Sequence, residues 1–211
     1  HRCAEISRPS LENLMRGANL VFITAGLGGG TGTGSAPVVA EIAREEGATV
    51  VGIVSTPFKM ERSRIRIAEK GMNQLRQRCD SLLVLDNNRL LQLAPDQPVK
   101  TTFLMLDNLI AGFVKGVTET ITIPSLINLD YADIRTVMSQ RSGVSVMLYG
   151  EGSIYTPEDI ISSALKNPLL DINYKGAKGA LIHITGGEDL SLSLVNEMVR
   201  GMTRSIAKNA P

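Results

Sequence analysis

No run of about 18 apolar residues occurs in the 211-residue chain, so no segment is expected to span a bilayer. No charged and apolar leader of the secretory kind is visible. Cysteine is scarce. Cys3 and Cys79 are the two present, and no spacing pairs them, which excludes a disulfide scaffold and points to reduced, cytosolic surroundings. An excess of one charge sign is lacking too. Lys plus Arg total 22 and Asp plus Glu 21, a formal net charge of +1, so neither nucleic acid nor an acidic surface is indicated as the main partner. There is no internal repeat, no low-complexity tract and no block of like charge. What remains is the profile of a globular protein, 43% hydrophobic and 20% charged, long enough for one large domain or two small ones.

The apolar residues fall in short runs bounded by glycine and proline. Leu20-Val21-Phe22-Ile23-Thr24-Ala25 reads as a buried strand that ends in glycines. Pro37 suits the first turn of a following helix, with Val38, Val39, Ile42 and Ala43 as its apolar face and Gly47 as its stop. Thr49 to Val54 is a second buried strand, so residues 20–54 form one strand–helix–strand crossover of a parallel sheet. A helix is expected over about 62–78 and a third strand over Leu82 to Leu85. Pro95 and Pro98 mark a loop. Thr101 to Thr122 then carries Phe103, Leu106, Leu109, Ile110, Phe113, Val114, Val117 and Ile121 at helical spacing, apolar on enough sides to predict a buried helix. Gly112 and Gly116 would mark close packing along it. Beyond Pro124, residues 144–149 and 180–185 read as strands, and 157–165 and about 190–207 as helices. The predicted fold is α/β: a parallel-sheet domain over 1–99, a long central helix over 100–123, and a second, smaller α/β domain over 124–211.

The first strand and first helix are joined by Gly26-Leu27-Gly28-Gly29-Gly30-Thr31-Gly32-Thr33-Gly34-Ser35, of which six are glycine. Glycine accepts positive φ and lets a ligand approach the backbone closely. Free N–H groups and the start of a helix favour an anion. Thr31, Thr33 and Ser35 add hydroxyls able to bond phosphate oxygens. A flexible linker is the competing reading, and confinement of the glycines to a strand–helix junction disfavours it. Two common phosphate loops do not fit. The Walker pattern needs Gly-Lys-Ser/Thr, and no lysine is present. The dinucleotide pattern finds no match from Gly26 to Gly34, and Val50 to Thr56 lacks the acid that it requires about 20 residues on.

Asn128-Leu129-Asp130-Tyr131-Ala132-Asp133 follows the long helix and leads into Ile134 to Met138. Two carboxylates three residues apart at a helix start lie close together and can orient a water for attack on phosphorus. They can equally cap the helix, and on spacing alone the cap is the better reading. His183 stands in an apolar segment with no second ligand beside it, a structural position rather than a metal site.

Gly28-Gly29-Gly30-Thr31-Gly32-Thr33-Gly34 is an unbroken match to the GGGTGTG signature of the tubulin/FtsZ family, which the chain resembles over nearly all its length. The resemblance implies a tubulin/FtsZ-like nucleotide-binding domain in which these seven residues hold the phosphates of GTP or GDP. The segment 128–133 is similar to the FtsZ loop N-x-D-[FY]-A-D, which implies Asn128, Asp130 and Asp133 as catalytic residues. Pro57-Phe58-Lys59-Met60-Glu61 resembles part of the family's K-P-F-x-x-E segment, so Glu61 and the nearby Arg64 would hold the ribose; from the residues alone both read equally as a solvated face. Asn87 matches an asparagine that contacts the nucleoside. Phe103 matches the aromatic that stacks on the base, although periodicity alone makes it a core residue. At the place of the guanine-reading aspartate stands Asn108, beside Asp107, and an amide oxygen can also accept guanine's N–H groups. No metal site of protein ligands is implied; Mg²⁺ comes with the nucleotide.

A helix of about 22 residues is ~33 Å long. If its start touches the nucleotide, as the resemblance implies, Asp130 and Asp133 past its end must serve the nucleotide of another copy. Such a head-to-tail contact is heterologous and propagates into a filament. The implied function is a GTPase that polymerises with itself into cytoskeletal filaments of the division ring, in the cytoplasm at the division site, with hydrolysis at the contact between copies. Adaptor proteins are expected through a C-terminal tail, with no nucleic acid and no direct membrane insertion. The alternative is a homologue outside division that binds GTP, hydrolyses it weakly and serves cell shape or scaffolding. A dinucleotide-dependent oxidoreductase is the competing enzyme class. The wording of Ser125 to Tyr131 looks closer to archaeal than to bacterial members. Against the family pattern, the first strand, a second glycine-rich loop and the last strands are expected outside His1 to Pro211.

Overall fold

Two short helices, Arg2–Ile6 (α1) and Arg8–Met15 (α2), precede the first strand, Leu20–Gly26 (β1). Thr31–Glu45 (α3) leads to Thr49–Thr56 (β2), and Arg62–Arg78 (α4) to Ser81–Asp86 (β3). Asn87–Leu93 (α5), Val99–Thr122 (α6), Tyr131–Met138 (α7), Pro157–Leu165 (α8) and Leu192–Thr203 (α9) follow. These come from a computed structural model that describes residues 1–93 (91–93 by backbone alone), 96–123, 129–139, 145–165, 177 and 179–204. The chain divides into two compact units. The first is His1–Thr102 with Met138–Ser145, the second Phe103–Val137 with Val146–Pro211.

In the first unit the three strands form one parallel sheet in the order β1-β2-β3. The register sets Gly26 beside Ser55 and Thr56 beside Asp86, so the strands end nearly level. Ligand loops of open α/β sheets gather at such carboxyl ends. β2 is buried from Thr49 to Val54 because a central parallel strand has both faces covered. α3 sends Ala36, Val38, Ala40, Ile42 and Ala43 into this core, and α4 adds Ala68 and Leu75. Ile42 and Leu75 are fully buried, each stabilising the fold by about 1.5–3 kcal/mol relative to exposure. The Cys79 thiol packs beside Gly52. Burial, then the charge of Asp80, pushes its pKa up to about 12, which leaves it unreactive.

The three strands predicted in this unit and the helix over 62–78 are present. Gly47 stops α3 with φ +88°, its N–H donating to Arg44 O and that of Ala48 to Ala43 O, both at 3.0 Å. The start of α3 differs from expectation. It begins at Thr31, so Pro37 is inside the helix rather than in its first turn. The helix forgoes the bond from position 37 to the Thr33 carbonyl and keeps its early start through close packing against β1. A Cβ on Gly32 would collide with the Gly26 carbonyl.

In the second unit α6 is less buried than its apolar pattern predicts. Leu106 and Val117 are buried, whereas Leu104 and Met105 are about half exposed. Leu104, Asn108, Ala111, Lys115 and Thr118 line one exposed stripe. Gly116 does mark close packing, since a Cβ there would lie 3.3 Å from His183 Cδ2, but Gly112 faces open space. Both His183 ring nitrogens meet hydroxyls, Nδ1 at 3.0 Å from Thr120 Oγ1 and Nε2 at 2.9 Å from Thr185 Oγ1. α8 and α9 pack together, Ile161 lying against Gly201. The strands expected over 144–149 and 180–185 are not formed among the described residues. A strand needs a neighbour with which to exchange backbone bonds, and the described part of these segments has one, the parallel bridge of Ser145 to Leu83. The expected helix over 190–207 is α9 as far as it is described, and residues 205–207 lie outside the described set.

Candidate functional site

The glycine signature divides into two halves. Gly28 to Gly30 are loop, and Thr31 to Gly34 are the first turn of α3. Gly28 has φ +99°, a conformation that favours glycine. A Cβ there would sit 3.0 Å from Arg64 Cβ and 3.2 Å from Pro57 Cγ, so the loop is clasped by the start of α4. Two bonds close it: Leu27 N donates to Ser55 O at 2.8 Å, and Gly28 N to Thr33 Oγ1 at 2.8 Å. Gly29, Gly30 and Thr31 are exposed, with open space around the two glycines.

The three hydroxyls differ in what they do. Thr33 is buried, takes the Gly28 N–H as its donor, and rests its methyl on Gly71 of α4. It braces the loop, where the sequence suggested a phosphate ligand. Ser35 Oγ donates to Thr31 O at 2.6 Å. Thr31 is the hydroxyl exposed at the tip. Gly30 precedes α3 and provides no side-chain cap. The first-turn N–H groups at Thr31, Gly32 and Thr33 are therefore the kind that a phosphate satisfies.

Glu61 and Arg64 are paired, Glu61 Oε2 to Arg64 Nη1 at 2.8 Å, and Glu61 Oε1 accepts from Phe58 N at 3.0 Å. Asn87 opens α5 and is 9% exposed, and its Oδ1 has no hydrogen-bond partner among the described residues. An unpaired buried acceptor costs about 1–3 kcal/mol, so this atom fits a donor carried by a ligand. The glycine loop, Glu61, Arg64 and Asn87 all belong to the first unit. Phe103 and Asn108 lie on α6 in the second unit, the first half-buried and the second exposed.

The acidic loop shows its two carboxylates in a reciprocal cap. Asp130 Oδ1 accepts from Asp133 N at 2.9 Å, and Asp133 Oδ2 accepts from Asp130 N at 3.1 Å. This is the arrangement of a capping box at the start of α7. Both residues are exposed, and each has a second oxygen outside these two bonds. Asn128 lies outside the described residues. Among the described residues no group of three or more His, Cys, Asp or Glu is placed to hold a metal ion.

Residues 1–95 match the GTPase domain of the tubulin/FtsZ family, and residues 143–211 match the C-terminal domain of the FtsZ family. The chain belongs to the tubulin/FtsZ family. It is similar to cell division protein FtsZ 2 of Methanocaldococcus jannaschii, at 48% identity over 215 residues, 99% of this chain and 56% of that protein. FtsZ 2 of Haloferax volcanii is 50% identical over 206 residues, 97% of this chain and 51% of that one. Among solved structures, an empty FtsZ dimer of M. jannaschii matches with a TM-score of 0.90 at 41% identity, over 98% of this chain and 61% of that one. Both curated relatives are archaeal, in line with the wording of Ser125 to Tyr131. The chain spans just over half the length of the curated relatives it matches.

Within this tubulin/FtsZ chain, sequence reasoning passed over Asp86 and Asn88, which flank Asn87 and bond to one another. Their signal was weak: two small polar residues where a strand meets a helix read as a cap and nothing more.

Proposed function

We propose that the intact protein binds GTP through Gly28 to Gly34, hydrolyses it at the contact between copies, and assembles head to tail into filaments at the cytoplasmic division site. The observation that carries this is the uncapped start of α3, where an unbroken GGGTGTG string meets the end of a parallel strand. Glu61 and Arg64 take the ribose, and Asn87 Oδ1 takes a donor of the nucleoside. Phe103 stacks on the base. On α6, Asn108 takes the N–H groups of guanine through its amide oxygen, with Asp107 beside it. Mg²⁺ arrives on the phosphates, and adaptors join through segments outside this chain.

The 24 residues of α6 rise about 36 Å. A nucleotide held near the start of α6 is then out of reach for Asp130 and Asp133 beyond its end, so Asn128, Asp130 and Asp133 act on the nucleotide of a neighbouring copy. GTP turnover of the intact protein across concentration tests this. Turnover per subunit rises steeply above a critical concentration; a flat profile refutes assembly-coupled hydrolysis. Mixing Asp130→Ala with a glycine-loop variant adds a second check, since each subunit restores part of the other's turnover at one kind of contact.

The reciprocal cap favours one other reading. If Asp130 and Asp133 serve only α7, the protein is a scaffold or shape-determining homologue that binds GTP and hydrolyses it weakly.

A further inference from the structure

We infer that Asn88 is a positioning residue for the sugar end of the nucleotide site, tying the 57–61 loop to the junction of β3 and α5. The inference rests on the GTP-binding reading above. Asp86 Oδ1 accepts from Asn88 N at 2.9 Å, from Asn88 Nδ2 at 2.6 Å and from Thr56 Oγ1 at 3.4 Å. Asn88 Oδ1 in turn accepts from Lys59 N at 2.8 Å. The ends of β2 and β3 and the loop that leads to α4 thus share one polar junction. A cap for α5 requires only the bond from Asn88 N to Asp86. The Asn88 side chain does something more, because its amide reaches from Asp86 across to the backbone of the 57–61 loop.

Two groups assigned to the nucleoside are attached to this junction. Asn87, the preceding residue, carries the buried Oδ1 that has no partner among the described residues. Glu61 lies two residues past Lys59 and holds the neighbouring Phe58 N–H. Consecutive backbone N–H groups, Phe58 and Lys59, are therefore held by Glu61 and by Asn88. Loss of the Asn88 amide frees one of the two and lets Glu61 shift relative to Asn87. A shift of about 1 Å in a positioning group is enough to weaken a site severely.

The test uses the intact protein, with GTP, 2′-deoxy-GTP and 3′-deoxy-GTP as competing probes and thermal melting as control. Asn88→Ala weakens GTP binding about tenfold and narrows its preference over at least one deoxy analogue, while the midpoint stays within about 4 °C. On a Glu61→Gln background Asn88→Ala costs little more, since both act on one contact; on a Phe103→Ala background it costs its full factor. Unchanged GTP affinity in Asn88→Ala, with Asn87→Ala weakened, overturns the inference and leaves the nucleotide site standing. No effect from Asn88→Ala, Asn87→Ala or Gly28→Val overturns the site itself. A collapsed midpoint, or a full additional loss on the Glu61→Gln background, makes Asn88 structural and also overturns the inference. Should Asn88→Ala not fold, Asn88→Asp keeps the acceptor for Lys59 and loses the donor to Asp86. It shows the same narrowing to a smaller degree, and a wild-type preference in the folded variant counts against the inference.

Discussion

In the first unit, the loop before α3 closes on a single buried side-chain bond, Gly28 N to Thr33 Oγ1, and leaves the helix start without a side-chain cap. In the second, the loop before α7 closes on two exposed carboxylates that each satisfy the other's backbone N–H. Both are helix starts in one chain, with opposite treatment of the same orphan donors. The first provides no side-chain acceptor for its N–H groups, as the proposed phosphate site requires. The second brings its own anions and leaves half of each carboxylate for another task. At the glycine signature, though not at α2 or α4, which also start without a side-chain cap, the helix start points to a ligand. A self-capped one does not, and its catalytic role needs a test that leaves the cap in place.

Asparagine provides that test, because it caps about as well as aspartate without the charge. Asp130→Asn is expected to lower GTP turnover of the assembled protein by about 10²-fold or more, with its thermal midpoint nearly unchanged. Asp133→Asn should behave alike. Asp130→Ala additionally loses about 1 kcal/mol through the cap. Wild-type turnover in both asparagine variants would reduce the acidic loop to a helix start and erase the contrast between the loops.

The next effects probe the glycine loop. Gly32→Ala places a methyl against the Gly26 carbonyl, a backbone atom that cannot rotate away, and should destabilise the protein by about 3 kcal/mol, read by denaturant unfolding. Thr33 separates bracing from ligation. Thr33→Val keeps the methyl on Gly71 but strands the Gly28 N–H, at a cost of about 2 kcal/mol. Thr33→Ser keeps the hydroxyl and loses one methyl, about 0.8 kcal/mol. Equal GTP affinity in folded Thr33→Ser and wild type supports the bracing role. A large loss of affinity without loss of stability in Thr33→Val would return Thr33 to the phosphate.

The sheet was legible because central parallel strands are written as continuous apolar runs, as Thr49 to Val54 shows. Gly47 was legible because a left-handed helix stop needs glycine locally. The start of α3 was not, because what holds Gly32 in a helix is the Gly26 carbonyl on another element. Neither was the inward turn of Thr33, which depends on Gly71. α1 and α2 went unread for the same reason. Their anchor, Arg8, finds Glu41 and Glu45 33 and 37 residues along the chain. In the candidate site, residue types and position marked the glycine loop for phosphate, whereas Asp130 and Asp133 read as a cap on spacing alone and were singled out by the resemblance to the FtsZ loop. The orphan Asn87 Oδ1 and the Asn88 tie required coordinates.

Glu41 gives the control for the acidic loop, a carboxylate whose partners are all cations in place. It lies 2.8 Å from Arg78 Nε and 3.3 Å from Arg8 Nη2. The Arg78 bond, then Arg8, holds its pKa below the ordinary 4.5, against the opposing effect of burial. The pair therefore contributes in full above pH 4.5, and the contribution fades as pH falls through the lower folded value. Because the groups are partly solvated, the Arg78 pair should stabilise the fold by less than about 1 kcal/mol. Glu41→Gln is thus expected to lower stability slightly at neutral pH, to flatten the acid limb of a stability-against-pH profile below pH 4.5, and to leave GTP turnover alone. If Asp130→Asn gave this same small, turnover-neutral result, the two acidic sites would be of one kind. A turnover loss at Asp130 with none at Glu41 separates a carboxylate that works on a neighbour's nucleotide from one that only holds its own helix to the next.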